Sequence, residues 1–149
     1  MPSDFERAYR ERVEVLFDRE LKTMPGVTDM LRLLRGPVYV ASSGPLHKMR
    51  LALKTAGIAS FFGDQLYSSY EVGSWKPEPG LFPHAASSMG FAPEYCVVVE
   101  DSEVGVQAAC ATGIPAFQYL PDDGAAAHPR GVPFADMVDL PELLARLDA

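Results

Sequence analysis

The sequence predicts an α/β fold in which helices flank a mainly parallel sheet. Short apolar runs alternate along the chain with stretches whose apolar residues recur every three or four positions. The first pattern is typical of strands and the second of amphipathic helices. Glycine or proline stands at most of the junctions between them. Because strand, helix and parallel strand form one repeating unit, this alternation indicates a doubly wound, Rossmann-like α/β/α architecture with three layers.

The same patterns define the individual elements. Apolar stripes predict helices over residues 5–21, 27–34, 46–56, 76–89, 104–112 and 140–147. Apolar runs predict strands over residues 38–41, 65–69, 96–99 and 115–120. The stretch 121–133 is rich in glycine, proline and alanine, and it is therefore expected to be a loop.

The composition limits the class of protein. With 149 residues, of which 48% are hydrophobic, the chain is long enough for one domain with a core. A net charge of −7 argues against binding to nucleic acid or to anionic membranes. Cys96 and Cys110 are too few for a disulfide framework, so both are expected to be reduced. Because the sequence shows no secretory signal and no apolar run of membrane-spanning length, a cytoplasmic location is expected.

Two adjacent carboxylates, Glu100 and Asp101, follow the apolar run at 96–99. In open α/β sheets, ligands bind beyond the carboxyl ends of such strands. Paired carboxylates supply hard oxygen ligands, which suit Mg²⁺ better than zinc. The alternative is that Asp101 or Ser102 only caps the next helix, with Gly105 allowing close packing. The segment by itself leaves both interpretations open.

Ser42 follows the strand predicted at 38–41. Its hydroxyl and the backbone amides of Ser43 and Gly44 can donate hydrogen bonds to phosphoryl oxygens. A simple turn or helix cap is the alternative.

Lys76 precedes Pro77 at the predicted start of a helix. A lysine at this place can neutralise a phosphate and neighbouring carboxylates, although many such residues merely begin an exposed helix. The interval from Ser42 to Lys76 and the interval from Lys76 to Asp101 are each long enough for one helix–strand or strand–helix connection. All three residues can therefore reach the same edge of the sheet.

Together these motifs resemble the haloacid dehalogenase-like hydrolases, most of whose members are Mg²⁺-dependent phosphatases. The resemblance extends along nearly the whole chain. The matching stretches are Pro25-Gly26-Val27 (return from the cap domain to the core), Val40–Gly44 (second motif), Lys76–Pro79 with Phe82 (third motif), and Val99–Ser102 with Gly105 (fourth motif). The stretches Gly44–Met49 and Trp75–Pro77 are similar to those of phosphatases that act on small sugar phosphates.

The resemblance implies a role for each candidate residue. Ser42 and the two residues after it would bind the phosphoryl group, and Lys76 would be catalytic by orienting nucleophile and phosphate. Asp101 and Glu100 would hold Mg²⁺. The implied reaction is hydrolysis of a small phosphorylated metabolite, such as a sugar phosphate, through an aspartyl-phosphate intermediate.

The family's first motif, Asp-x-Asp-x-Thr, which supplies the nucleophile, does not occur in this sequence. Asp4 precedes an amphipathic helix, and Asp18 lies on its surface. By resemblance, residues 1–24 are a remnant of a helical cap and residues 25–149 are a core that lacks its first, central strand. We therefore expect a fragment or shortened phosphatase that is inactive alone. The exposed strand edges are expected to cause domain swapping or formation of a homo-oligomer.

Two other functions remain open at this point. The chain could be a non-catalytic module that keeps the phosphate and metal pocket for binding or regulation. It could also be a haloacid dehalogenase, which needs no metal and is therefore disfavoured by the acid pair.

Overall fold

A computed structural model of the chain describes residues 21–122 and 124–148. Residues 5–20 of the predicted helix at 5–21, and most of the predicted cap remnant, therefore lie outside the described residues, and Leu21 is not helical. Over the described part the helices are α1 (Val27–Leu33), α2 (Leu46–Thr55), α3 (Ala59–Phe62), α4 (Ser69–Val72), α5 (Leu81–Ser88), α6 (Glu103–Ala111) and α7 (Leu140–Ala145). The strands are β1 (Val40–Ser42), β2 (Leu66–Ser68), β3 (Val98–Glu100), β4 (Ala116–Tyr119) and β5 (Val132–Phe134). Single 3₁₀ turns occur at Pro93–Tyr95, Met137–Asp139 and Arg146–Asp148.

The described strands form two parallel sheets. β1 pairs with β2, with Val40 opposite Leu66, and the second sheet has the order β3-β4-β5. Every one of these pairings is parallel, which confirms the predicted α/β class. β1 and β3 each have one edge that no other described strand pairs with.

Helices cover both faces of the larger sheet. Successive residues of β4 point to opposite faces. Ala116 belongs to one apolar cluster with Val106 of α6, whereas Phe117 and Tyr119 belong to another with Leu140 of α7. Every residue of β4 is buried. The three-layer arrangement predicted from the alternating pattern is therefore present around this strand.

The helix predicted from residue 76 begins only at Leu81. Proline lacks a backbone N–H and disfavours the helical conformation of the residue before it, so Pro77 and Pro79 prevent an earlier start. Residues 76–80 form a turn instead, in which the Glu78 N–H donates to the Trp75 carbonyl at 2.8 Å. Lys76 therefore lies in this turn and not at the start of a helix.

The loop predicted over 121–133 was wrong at its carboxyl end, where β5 begins at Val132. This strand was not predicted because it has only three residues, one of which is Pro133. Proline is tolerated in an edge strand because one side of the strand needs no hydrogen-bond donors. The Phe134 side chain is buried, and its burial stabilises the pairing of this short strand with the sheet. The short helices α3 and α4 were also not predicted.

Both cysteines are free thiols, as the sequence predicts. Cys110 is buried in α6, where its thiol donates a hydrogen bond to the Arg130 carbonyl at 3.6 Å. Burial, together with the nearby charge of Glu94, raises the pKa of the Cys96 thiol. Cys96 therefore lacks the environment of a reactive thiolate.

Within the described part of the chain, none of the helices combines the length and apolar character that a membrane crossing requires.

Candidate active site

Three strands of the fold end in polar residues. Ser42 ends β1, Ser68 ends β2 directly beside it in register, and Glu100 ends β3. The sequence did not single out Ser68. Its hydroxyl donates to the Gly44 carbonyl at 2.7 Å and accepts from the Tyr70 N–H at 3.2 Å. Ser68 therefore fixes the turn that follows β1 relative to β2.

The Ser42 hydroxyl accepts a hydrogen bond from the Gly44 N–H at 3.1 Å. The simple turn that the sequence left open as the alternative for Ser42-Ser43-Gly44 is thus present in the structure. A hydroxyl that accepts at its oxygen can still donate its own hydrogen to a phosphoryl oxygen. The described hydrogen bonds and ion pairs do not join this turn directly to Lys76 or Glu100.

Lys76 and Glu100 form a largely buried ion pair between Nζ and Oε2. The two side chains are only 13% and 10% exposed. The Lys76 ammonium also lies 5.1 Å from the centroid of the buried Phe82 ring, which provides a favourable cation–π contact. The pair thus joins the third sequence motif, in the turn at 76–80, to the fourth, at the end of β3.

The second carboxylate oxygen of Glu100 is also occupied. Oε1 accepts hydrogen bonds from the backbone N–H groups of Asp101 at 3.0 Å and Ser102 at 3.3 Å. Burial alone would raise the pKa of Glu100, but hydrogen bonding with Asp101 and Lys76 and the lysine charge outweigh it, and the pKa is lowered. Glu100 is therefore an ionised carboxylate at neutral pH.

Asp101 borders an open cleft of about 200 Å³. The lining residues are Met24, Val99, Glu100, Asp101, Tyr119 and Met137. Hydrogen bonding with Glu100, then burial and the negative charge of Glu100, raise the pKa of Asp101. A cation in the cleft would relieve this repulsion. Among the residues that the structure describes, no third histidine, cysteine or acidic side chain joins the two carboxylates in a metal-binding group.

Ser102 is the residue that caps α6, because its hydroxyl accepts from the Gly105 N–H at 3.1 Å. The helix cap considered from the sequence is therefore present, and it is formed by Ser102 and not by Asp101. Asp101 instead borders the cleft.

Parallel strands with charged residues at their carboxyl ends are typical of α/β enzymes that bind a ligand at that edge. A family model of haloacid dehalogenase-like hydrolases matches residues 2–113, and the chain belongs to this family.

Individual relatives agree with this assignment. The chain is 34% identical over 143 residues to 6-phosphogluconate phosphatase of Escherichia coli (strain K12), covering 95% of the chain and 65% of that protein. It is 27% identical over 114 residues to the phosphorylated carbohydrates phosphatase of Thermotoga maritima, covering 74% of the chain and 52% of that protein. The chain therefore spans about half to two thirds of the length of these relatives.

A solved structure supports the fold along the chain. The HAD family hydrolase from Deinococcus radiodurans R1 with bound phosphate and sodium matches with a TM-score of 0.78 and 28% identity. The match covers 99% of this chain and 69% of the other. The family and the Rossmann-like fold predicted from the sequence motifs are thereby confirmed.

Proposed function

We propose that this chain carries the phosphate-binding and metal-binding core of a Mg²⁺-dependent phosphatase acting on a small phosphorylated metabolite such as a sugar phosphate. The observation that carries the proposal is the largely buried pair that Lys76 forms with Glu100 at the carboxyl end of β3, beside Asp101. The names of the two phosphatase relatives and the phosphate in the Deinococcus structure support the substrate class.

Phosphoryl transfer depends mainly on positioning and on neutralising charge on the phosphoryl oxygens. In the proposed site the Lys76 ammonium provides a fixed positive charge for these oxygens. The Ser42 hydroxyl and the Ser43 amide add neutral hydrogen-bond donors, and the Gly44 amide would join them on releasing the Ser42 oxygen to which it donates. Because Glu100 holds Lys76 before substrate arrives, little reorganisation is needed during the reaction.

Asp101 and Glu100 would hold Mg²⁺, and their donor set fits this ion because carboxylate oxygens are the ligands that it prefers. When bound, the metal would offset negative charge on the phosphoryl group. Asp101 borders the cleft, whereas Glu100 already binds Lys76 and two backbone amides. Asp101 is therefore the ligand of this pair that is more accessible to an ion.

The nucleophile of the proposed reaction is an aspartate outside this chain. The sequence contains no Asp-x-Asp-x-Thr motif, and the described structure leaves one edge unpaired on both β1 and β3. We propose that a strand carrying this motif belongs between those two edges, where its aspartate would approach Lys76 and Asp101.

The 149-residue polypeptide alone is expected to show no phosphatase turnover above background with Mg²⁺ and a panel of sugar phosphates. Fusion of an upstream segment with an apolar strand and Asp-x-Asp-x-Thr is expected to create Mg²⁺-dependent release of phosphate. The matched control is the same fusion with the first aspartate of the motif changed to asparagine. Robust turnover by the unfused chain would contradict the proposal.

The isolated chain is also expected to self-associate, because unpaired strand edges can hydrogen-bond to a second copy. Size-exclusion chromatography with light scattering should show species larger than a monomer. The fusion described above should shift the population toward the monomer, since its added strand would cover both edges. A compact monomer of the unfused chain at all concentrations would argue against this expectation.

A non-catalytic binding module is the second candidate, and the missing nucleophile motif is the observation that favours it. Calorimetric titration with Mg²⁺ and phosphorylated metabolites, carried out beside the turnover assay, separates the two. Binding without turnover in the fused protein would indicate the module, whereas binding with turnover would indicate the phosphatase.

A further inference from the structure

We infer that Gly105 is a positioning residue for the Lys76–Glu100 ion pair: the absence of a side chain at this place on α6 creates the space that holds the Glu100 carboxylate. This inference rests on the proposed function, because it assigns the glycine a purpose in presenting Lys76 to phosphate. The sequence had offered only close packing as its alternative role.

The outer part of the Glu100 side chain lies directly against Gly105. A Cβ built on Gly105 would overlap three atoms of Glu100, namely Cγ, Cδ and Oε2. Rotation of the carboxylate alone cannot relieve an overlap that includes Cγ. Since Oε2 is the atom that binds Lys76, any side chain at Gly105 displaces the oxygen that holds the lysine.

The surrounding hydrogen bonds prevent an easy adjustment. Oε1 of Glu100 is bound by the backbone amides of Asp101 and Ser102. The Ser102 hydroxyl in turn binds the Gly105 amide, so the start of α6 is tied to the segment that carries the carboxylate. The helix therefore cannot move away from Glu100 without losing its cap.

The backbone of Gly105 gives no other reason for glycine. Gly105 does not have a positive φ, unlike Gly113 just after the same helix. In such a helical position alanine is the better residue, because glycine has more conformational freedom to lose on folding. Alanine should therefore stabilise α6 unless the Glu100 side chain stands in its way.

The decisive experiment measures Gly105→Ala in two backgrounds of the full chain by urea unfolding. In the natural background the substitution is expected to lower the unfolding midpoint. In the Lys76→Met/Glu100→Ala background, which lacks both charges and the obstructing side chain, it is expected to raise the midpoint or leave it unchanged. Gln107→Ala, an exposed change on the same helix, is the matched control and should have the same small effect in both backgrounds.

A second measurement reports on Lys76 itself. Lys76 is nearly buried in its pair, so an amine-modifying reagent should label it slowly, as followed by mass spectrometry of its peptide. Gly105→Ala is expected to speed this labelling by about tenfold, a factor equivalent to about 1.4 kcal/mol of lost pairing. Labelling of the exposed Lys54 should be unchanged.

The outcomes separate the inference from the proposed function, because neither measurement requires phosphate, metal or turnover. If Gly105→Ala fails to fold while the triple variant folds, the inference is supported. Equal destabilisation in both backgrounds, or Lys76 labelling at the natural rate in a folded Gly105→Ala variant, would overturn it.

Discussion

Replacement of Lys76 by methionine is expected to lower the free energy of unfolding by about 3 kcal/mol, because it leaves a largely buried carboxylate without its cation. Both side chains of the pair are less than one seventh exposed, so water cannot compensate fully. The backbone amides of Asp101 and Ser102 still bind Glu100, which keeps the loss near the lower end for a broken buried pair. Urea unfolding followed by circular dichroism measures the effect.

Two further variants make this result specific to the pair. In Lys76→Met/Glu100→Gln the buried charge is absent, and more than half of the lost stability is expected to return. Lys54→Met removes an exposed lysine and should change stability by less than about 0.5 kcal/mol. A loss below about 1 kcal/mol for Lys76→Met would show that the pair is open to solvent.

Asp101→Asn is expected to abolish stabilisation by Mg²⁺ in the protein completed by the upstream segment. At a Mg²⁺ concentration 100 times the dissociation constant, the unchanged protein should gain about 2.7 kcal/mol. Without metal, the asparagine should be neutral or stabilising, because the raised pKa of Asp101 shows that its charge is disfavoured beside Glu100. The sign of the effect on stability is therefore expected to depend on the presence of Mg²⁺, as measured by thermal unfolding at both conditions.

Glu103→Gln is the matched control for Asp101→Asn. Glu103 is an exposed acid in the first turn of α6, two residues from Asp101, and it does not line the cleft. The control protein should keep the full Mg²⁺ response. An equal loss in both variants would indicate a diffuse attraction of the ion by negative charge and not ligation by Asp101.

The elements predicted well from the sequence are those whose buried apolar residues recur at regular spacing along the chain. The apolar stripe of 46–56 corresponds to α2, and the stripe of 104–112 to α6, each within one residue at both ends. β5 was missed because its attachment depends on the buried Phe134 contacting a strand distant in sequence. Three residues that include a proline contain no periodic signal of such a contact.

The candidate site was likewise predicted only in part. The sequence placed Lys76 and the acid pair at one edge of the fold, and the structure joins Lys76 to Glu100 in an ion pair. It could not show which acid faces the lysine and which borders the cleft, because adjacent residues at a strand end take directions that depend on the turn. The role of Gly105 could not be predicted either. The space beside it is recognised only once the position of the Glu100 side chain is known.

The division of the strands into two sheets gives the ion pair a mechanical consequence. Lys76 follows the smaller sheet, and Glu100 ends a strand of the larger one, so their contact is a link between two separate hydrogen-bonded units. Apolar packing also joins the two sheets, because Phe82 of α5 packs in one cluster with Val98 of β3 and Ala41 of β1. Loss of the ion pair is therefore expected to weaken the contact between the sheets without separating them.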